Sequence, residues 1–112
     1  MIIESSNKEL KRLMDTGKTN DKLLRDRKIL RENFQNVIML MLDAECPADL
    51  YRFSELHFEP QKGTNRYSIK IGNKYRLEFL IDKVRHVGKD VYICTIIEIS
   101  NHYGGKKRRK KK

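Results

Sequence analysis

The sequence predicts one small α+β domain with helices in its first half and a mainly antiparallel sheet in its second half. A chain of 112 residues has the length of one domain. Apolar residues recur at helical spacing as far as Met41, and beyond Pro47 they alternate with polar residues as they do in strands. We therefore expect two N-terminal helices packed on a small twisted sheet.

The first helix is predicted over residues 6–16, after a short apolar start at residues 1–4 that suits an edge strand. Ser6 is placed to cap this helix, and Glu9 follows three residues later, which is the spacing of a capping box. Gly17 suits the position just past the helix end.

A second, longer helix is predicted to start after Thr19 or Asn20 and to end near Asp43 or Ala44. It ends there because Pro47 pushes the residue before it out of helical geometry. Its apolar face is expected to comprise Leu23, Leu30, Phe34, Val37, Ile38 and Met41.

Alternation over residues 56–61 predicts a strand near its end, and further strands are predicted over 66–71, 75–81 and 90–100. The last of these is apolar at both odd and even positions. This pattern predicts a central strand that is covered on both faces.

The hydrophobic pattern favours one register for the hairpin in the middle of the sheet. A two-residue loop would set Ile69 opposite Arg76, whereas a three-residue loop at 72–74 sets Ile69 opposite Leu77. Register normally follows the apolar pattern, so we expect the three-residue loop. That register places Lys70 directly opposite Arg76.

Like charges directly opposite each other destabilise a sheet, so the Lys70–Arg76 pair allows two interpretations. In one, the strands present an ordinary polar face, and Glu78 and solvent relieve the repulsion. In the other, an anion binds between the two cations.

The formal net charge of +10 belongs mostly to the end of the chain. All seven residues of 106–112 are basic, and the first 105 residues carry 18 basic against 15 acidic residues, or +3. We expect 104–112 to form a disordered basic tail that contacts RNA without sequence specificity, or that serves only solubility.

Several classes of protein are excluded by what the sequence lacks. It has no apolar run that could cross a membrane, and residues 1–4 turn polar too soon for a signal peptide. Cys46 and Cys94 have no metal-binding spacing, and no glycine-rich phosphate loop occurs. We expect a soluble cytoplasmic protein without metal or cofactor.

Four segments together resemble the HigB-type toxins of the RelE/ParE toxin–antitoxin superfamily. They are Cys-Pro-Ala-Asp-Leu at 46–50, Glu-Pro-Gln-Lys-Gly at 59–63, Tyr-Ser-Ile-Lys-Ile at 67–71 and Tyr-Arg-Leu at 75–77. Their order and spacing match the family, and the resemblance covers about residues 1–103 as one toxin domain.

The resemblance implies a fold in which two N-terminal helices pack on a twisted sheet with an open active face. It also implies a ribosome-dependent messenger-RNA endonuclease, in which the ribose 2′-OH attacks the adjacent phosphate without a metal. The implied partners are messenger RNA on the ribosome and a cognate antitoxin, a HigA-like helix-turn-helix protein.

The resemblance assigns catalytic roles to three residues. Lys62 matches the lysine of the Pro-x-Lys-Gly turn and would contact the phosphate or the activated 2′-oxygen. Arg76 would hold two phosphate oxygens with its planar guanidinium. His102 would transfer protons, and Lys70 would assist in binding the substrate.

Substrate-binding roles are expected for four further residues, namely Arg66, Tyr103, Glu59 and His57. The chain departs from the family pattern at two places. Glu59 stands where the family has a histidine, and the end reads Asn-His-Tyr at 101–103 where the family has Asp-Tyr-His. His57 is equally compatible with a structural role, and an exposed lysine such as Lys62 is ordinary in a glycine turn.

Two other functions fit the same fold. A ParE-like toxin would have no nuclease activity and would bind a protein target such as DNA gyrase. A chain that has lost catalysis would remain an RNA-binding protein. The cluster of basic and proton-transfer groups favours the endonuclease.

Overall fold

A computed structural model describes residues 1–101, which form an α+β fold with one five-stranded mixed sheet. His102, Tyr103 and the predicted basic tail lie outside the described residues. In chain order the elements are β1 (Ile2–Ser5), α1 (Lys8–Thr16), α2 (Lys22–Arg25), α3 (Lys28–Asp43), two 3₁₀ helices (Pro47–Arg52 and Ser54–Leu56), β2 (Glu59–Pro60), β3 (Arg66–Ile71), β4 (Tyr75–His86) and β5 (Lys89–Asn101).

The strands lie in the order β1-β5-β4-β3-β2, so the predicted N-terminal edge strand is confirmed. β1 runs parallel to β5, and the other neighbouring strands run antiparallel. The sheet is therefore mainly antiparallel, as expected, with one parallel pair at its edge.

The predicted cap of α1 is wrong, whereas its predicted end is confirmed. Asn7 caps the helix by accepting hydrogen bonds from the backbone N–H groups of Glu9 and Leu10. The Glu9 carboxylate turns away from Ser6 and accepts from the loop after the helix instead. Gly17 has a φ of 77°, the left-handed conformation that ends helices and suits glycine.

The second predicted helix is divided into α2 and α3, so the described chain has three α-helices where the sequence predicted two. The guanidinium of Arg31 donates from Nη1 to the backbone oxygens of Leu24 and Arg25, at 2.8 and 2.6 Å. These bonds satisfy carbonyls that a continuous helix would have used internally. The predicted end of the second helix at Asp43 is confirmed.

The core lies between the helices and one face of the sheet. Phe34 and Met41 of α3 are fully buried, and so are Ile69, Leu77 and Phe79 of the central strands. Because successive strand residues point to opposite faces, the intervening residues of β3 and β4 lie on the other face. The buried apolar residues of α1, α2 and α3 all belong to the core, so the other face, called the open face below, is the one we consider for a ligand, although Ser68 and Glu78 on it are buried.

The register of the β3–β4 hairpin is the predicted one. Ile69 lies opposite Leu77, and Ile71 lies opposite Tyr75, across a three-residue turn. Lys70 consequently lies opposite Arg76.

The prediction that β5 is covered on both faces is wrong. β5 lies between β1 and β4, but only Cys94 and Ile96 of its side chains are fully buried. Ile93 and Ile97 are only half-buried, and the register shifts at Ile97, since Phe79 pairs with Ile96 and Glu78 with Glu98.

The strand predicted near residues 56–60 is also largely wrong. Leu56 ends a 3₁₀ helix, and His57 adopts a left-handed conformation with a φ of 48°. Only Glu59 and Pro60 pair with β3.

Candidate active site

The open face of the sheet carries a cleft of about 210 Å³ at the end where β2, β3 and β4 meet. Its lining residues are of polar or charged type, and their polar and apolar parts contribute comparable amounts of surface. The residues that line it are His57, Glu59, Ser68, Lys70, Asn73, Tyr75 and Arg76.

Lys70 and Arg76 place two cations directly opposite each other in this cleft. The Lys70 side chain is exposed and has no carboxylate within 4 Å among residues 1–101. The Arg76 side chain is 27% exposed, so it is partly shielded from water. An anion bound here would meet both charges, and solvent screens that of Arg76 less than it would at an open surface.

Glu59 supplies the negative charge nearest to Arg76. Its Oε2 lies 4.0 Å from Nη2 of Arg76, and its side chain is 56% exposed. An exposed pair at this distance is worth at most about 1 kcal/mol. A bound phosphate can therefore displace this carboxylate from Arg76 at small cost.

Glu78 does not relieve the Lys70–Arg76 repulsion, because its carboxylate forms an ion pair with Arg66. The Arg66 guanidinium bridges Glu78 at 2.7 Å and Glu98 at 2.9 Å, two carboxylates that lie opposite each other on β4 and β5. Relief by Glu78 is therefore wrong, whereas solvent still reaches the exposed Lys70, so both interpretations of the cationic pair remain open.

The ion-paired carboxylate of Glu78 has an altered pKa. Burial raises the pKa of Glu78, but hydrogen bonds from Ser100, Arg66 and Gln61 outweigh burial and hold it below 4.5. The hydrogen bond to Glu78, followed by that to Glu98, raises the pKa of Arg66 above its usual value. Arg66 thus forms a fixed ionic network beside the cleft and does not line it.

The predicted site residues fall into three groups. His57, Glu59, Lys70 and Arg76 come together in the cleft, although His57 reaches it from a 3₁₀ helix end and not from a strand. The second group does not line the cleft: Lys62 is exposed in the turn between β2 and β3, and Arg66 is bound to Glu78 and Glu98.

His102 and Tyr103 form the third group and lie outside the described residues. The last described residue, Asn101, lies opposite Tyr75, which lines the cleft. β5 therefore brings the chain to the edge of the cleft immediately before His102.

Sequence reasoning missed three residues of the cleft, namely Ser68, Asn73 and Tyr75. Ser68 is buried, but it shares the parity of Lys70 on β3 and lies opposite Glu59, so the strand pattern could have placed it on the same face as Lys70. Asn73 and Tyr75 flank the hairpin turn, and no local signal distinguishes them from ordinary turn residues.

Within residues 1–101 no group of three or more histidine, cysteine, aspartate or glutamate side chains is placed to hold a metal ion. No helix in this part of the chain is long and apolar enough to cross a membrane. Comparison with protein-family models, with curated proteins and with solved structures gives no significant match in any of the three.

Proposed function

We propose that this chain is a toxin of a type II toxin–antitoxin system, with the RelE/ParE-like fold and HigB-type endoribonuclease activity on ribosome-bound messenger RNA. The observation that carries the proposal is the Lys70–Arg76 pair in the cleft, where Glu59 is the one carboxylate among residues 1–101 that lies within 4.0 Å of either cation. A cationic pair of this kind suits a phosphodiester. The motifs at 46–50, 59–63 and 75–77 supply the family assignment.

In the proposed reaction the 2′-oxygen of one ribose forms a bond to the adjacent phosphorus while the bond to the 5′-oxygen breaks. Arg76 and Lys70 hold the phosphate oxygens and stabilise the charge that develops on them. The products are a 2′,3′-cyclic phosphate and a 5′-hydroxyl. No metal is needed, because the nucleophile belongs to the RNA.

The reaction removes one proton from the 2′-hydroxyl and delivers one to the 5′-oxygen. Glu59 and His57 line the cleft and are within the described part of the site. The family resemblance assigns proton transfer to His102, with Tyr103 as a stacking partner for a base. Lys62, from the neighbouring turn, would reach the substrate once it is bound.

The partners follow from the same proposal. A cognate antitoxin of the HigA-like helix-turn-helix class would hold the toxin inactive, and the substrate would be messenger RNA on the ribosome, in the cytoplasm.

Mapping messenger-RNA ends in bacterial cells after induction tests the function. We expect growth arrest and new ends within translated codons, each with a 5′-hydroxyl. Intact transcripts with accumulating DNA breaks would support the ParE-like alternative and contradict the endonuclease.

A further inference from the structure

The helical side of the molecule carries a second cationic surface, on the opposite side of the sheet from the cleft. A groove runs between the end of α1 and the α2–α3 corner, as two adjoining cavities of about 350 and 310 Å³ that share Gly17 and Arg31. Its basic residues are Arg12, Lys18, Arg25, Lys28 and Arg31, and Glu32 is its one lining carboxylate.

The neighbouring carboxylates offset only part of this positive charge. Glu9 accepts hydrogen bonds from the backbone of Asn20 and from Thr19, and these bonds, with a smaller contribution from the charge of Arg12, lower its pKa and keep it ionised. Asp26 approaches Arg25 at 3.7 Å, and both side chains are more than half exposed. Exposed pairs of this kind contribute little to the stability of the fold. Pairing with Asp26 is therefore not a structural reason for placing so many cations together.

Arg31 is the anchored member of the cluster. Its Nη1 donates to the carbonyls of Leu24 and Arg25, which fixes the guanidinium in the groove. A guanidinium carries five N–H donors. The donors on Nε and Nη2 take no acceptor among residues 1–101 and remain available to a ligand in the groove.

The shape and lining of the groove indicate a chain of phosphates as the ligand. Two cavities in series exceed the space that one phosphate needs, and their lining contains no aromatic side chain on which a base could stack. The groove residues can therefore contact a sugar–phosphate backbone, and such contacts carry no sequence information.

We propose that the groove formed by Arg12, Lys18, Arg25, Lys28 and Arg31 is a second RNA-binding surface that holds the RNA backbone without sequence preference. The choice of RNA as the polyanion rests on the proposed function. The groove would strengthen association while the cleft on the other side of the sheet performs cleavage.

The salt dependence of RNA binding tests this proposal in the full chain. The probe is a fluorescein-labelled single-stranded RNA with 2′-O-methyl groups throughout, which no 2′-hydroxyl attack can cleave, so binding is measured whether or not the chain is a nuclease. We expect the double variant Arg12→Gln/Arg25→Gln to reduce the slope of log affinity against log salt by about 1.4, since each lost phosphate contact on a single strand contributes about 0.7.

The double variant Lys18→Gln/Lys28→Gln provides an independent test and should reduce the slope similarly. The matched control is Lys83→Gln/Lys89→Gln, which removes the same charge from exposed positions on the β4–β5 hairpin. Circular dichroism identifies any variant that fails to fold. If one groove variant is unfolded, the salt slope of the other groove variant tests the proposal.

Equal slopes for the groove variants and the control would overturn the proposal, because net charge alone would explain the binding. An unchanged RNA slope together with lost binding to phosphatidylglycerol vesicles would overturn it in favour of a membrane surface. If the groove variants reduce the slope but the chain cleaves no messenger RNA, the RNA-binding groove is supported and the proposed endonuclease activity is wrong.

Discussion

Glu59 Oε2 lies 4.0 Å from Nη2 of Arg76, in the cleft where Arg76 also lies opposite Lys70. Glu59 is the residue at which the chain departs from the histidine of the HigB-type pattern. The departure thus places a carboxylate against the arginine proposed to hold the scissile phosphate.

We predict that Glu59→Gln strengthens binding of non-cleavable RNA, because the phosphate no longer competes with a carboxylate for Arg76. An exposed ion pair is worth about 0.2–1 kcal/mol, which corresponds to a decrease in Kd of roughly 1.4- to 5-fold. Fluorescence anisotropy with 2′-O-methyl RNA measures the change. Glu55→Gln is the matched control, since Glu55 is exposed and does not line the cleft. Equal gains in both variants would show only an effect of net charge.

The ionic network beside the cleft predicts an acid-sensitive contribution to stability. The pKa of Glu78 is held below 4.5, so its stabilising contribution is present above the unfolded value of 4.5 and is lost as pH falls through the lower folded value. Glu78→Gln should lower the free energy of unfolding at pH 7 by about 1 kcal/mol, near the low end for charged hydrogen bonds because solvent screens the pair.

Urea denaturation at pH 7 and at pH 3 measures this contribution. The difference between wild type and Glu78→Gln should shrink at the lower pH. Glu98→Gln is the control, because Glu98 contacts the same guanidinium but is half-exposed. If the loss of unfolding free energy in Glu78→Gln is as large at pH 3 as at pH 7, the ionised Glu78 carboxylate is not its cause.

The two cysteines should differ in reactivity. Cys94 is fully buried, and burial raises the pKa of its thiol to about 11, whereas Cys46 is half-buried. The thiolate is the reactive form, so Ellman's reagent should modify Cys46 at once and Cys94 only on unfolding. Cys46→Ser should abolish the fast phase. Two fast thiols in the native protein would show that β5 is less well packed than the structure describes.

The β4–β5 turn contains a position at which the chain can be stabilised. Val87 has a φ of 50° and is 86% exposed. The left-handed region disfavours a β-branched residue and suits asparagine, so Val87→Asn should raise the free energy of unfolding by about 1 kcal/mol. Val84→Asn, within β4, makes the same chemical change in a strand and should be neutral or destabilising. Thermal melts compare the two, and a Val87→Asn variant no more stable than wild type would contradict the turn geometry.

The strand register could be predicted from the sequence because one face of the sheet is buried. Pairing Ile69 with Leu77 and Ile71 with Tyr75 keeps the apolar residues on that face, and a slip would have buried cations. The opposition of Lys70 and Arg76 followed directly from this register.

The helix break and the coverage of β5 could not be predicted, because both depend on contacts between distant parts of the chain. The break between α2 and α3 depends on Arg31 reaching back to carbonyls six and seven residues earlier. The apolar residues of β5 indicated two covered faces, but Ile93 and Ile97 are only half-buried.

Only part of the candidate site was accessible to sequence reasoning. Glu59, Lys70 and Arg76 were expected at the site and line one cleft, whereas Ser68 and Asn73 were not foreseen. The ion pairs of Arg66 with Glu78 and Glu98 were also missed, because the alternation of polar and apolar residues does not show which carboxylate a given cation pairs with.

In the proposed reaction Arg76 holds the scissile phosphate, and cleavage of ribosome-bound messenger RNA by Arg76→Ala is the most direct test of that role. We predict a loss of about 10²–10³ in rate, the usual cost of removing one preorganised donor to developing negative charge. Arg76→Lys should also be slow, since lysine lacks the two-point planar contact. The melting temperature should barely change, because the substitution relieves a like-charge contact and costs about 0.5 kcal/mol or less. Arg52→Ala controls for net charge, as its side chain is 77% exposed. Cleavage at the wild-type rate by Arg76→Ala would contradict the account, and a much earlier melt would show Arg76 to be a structural residue.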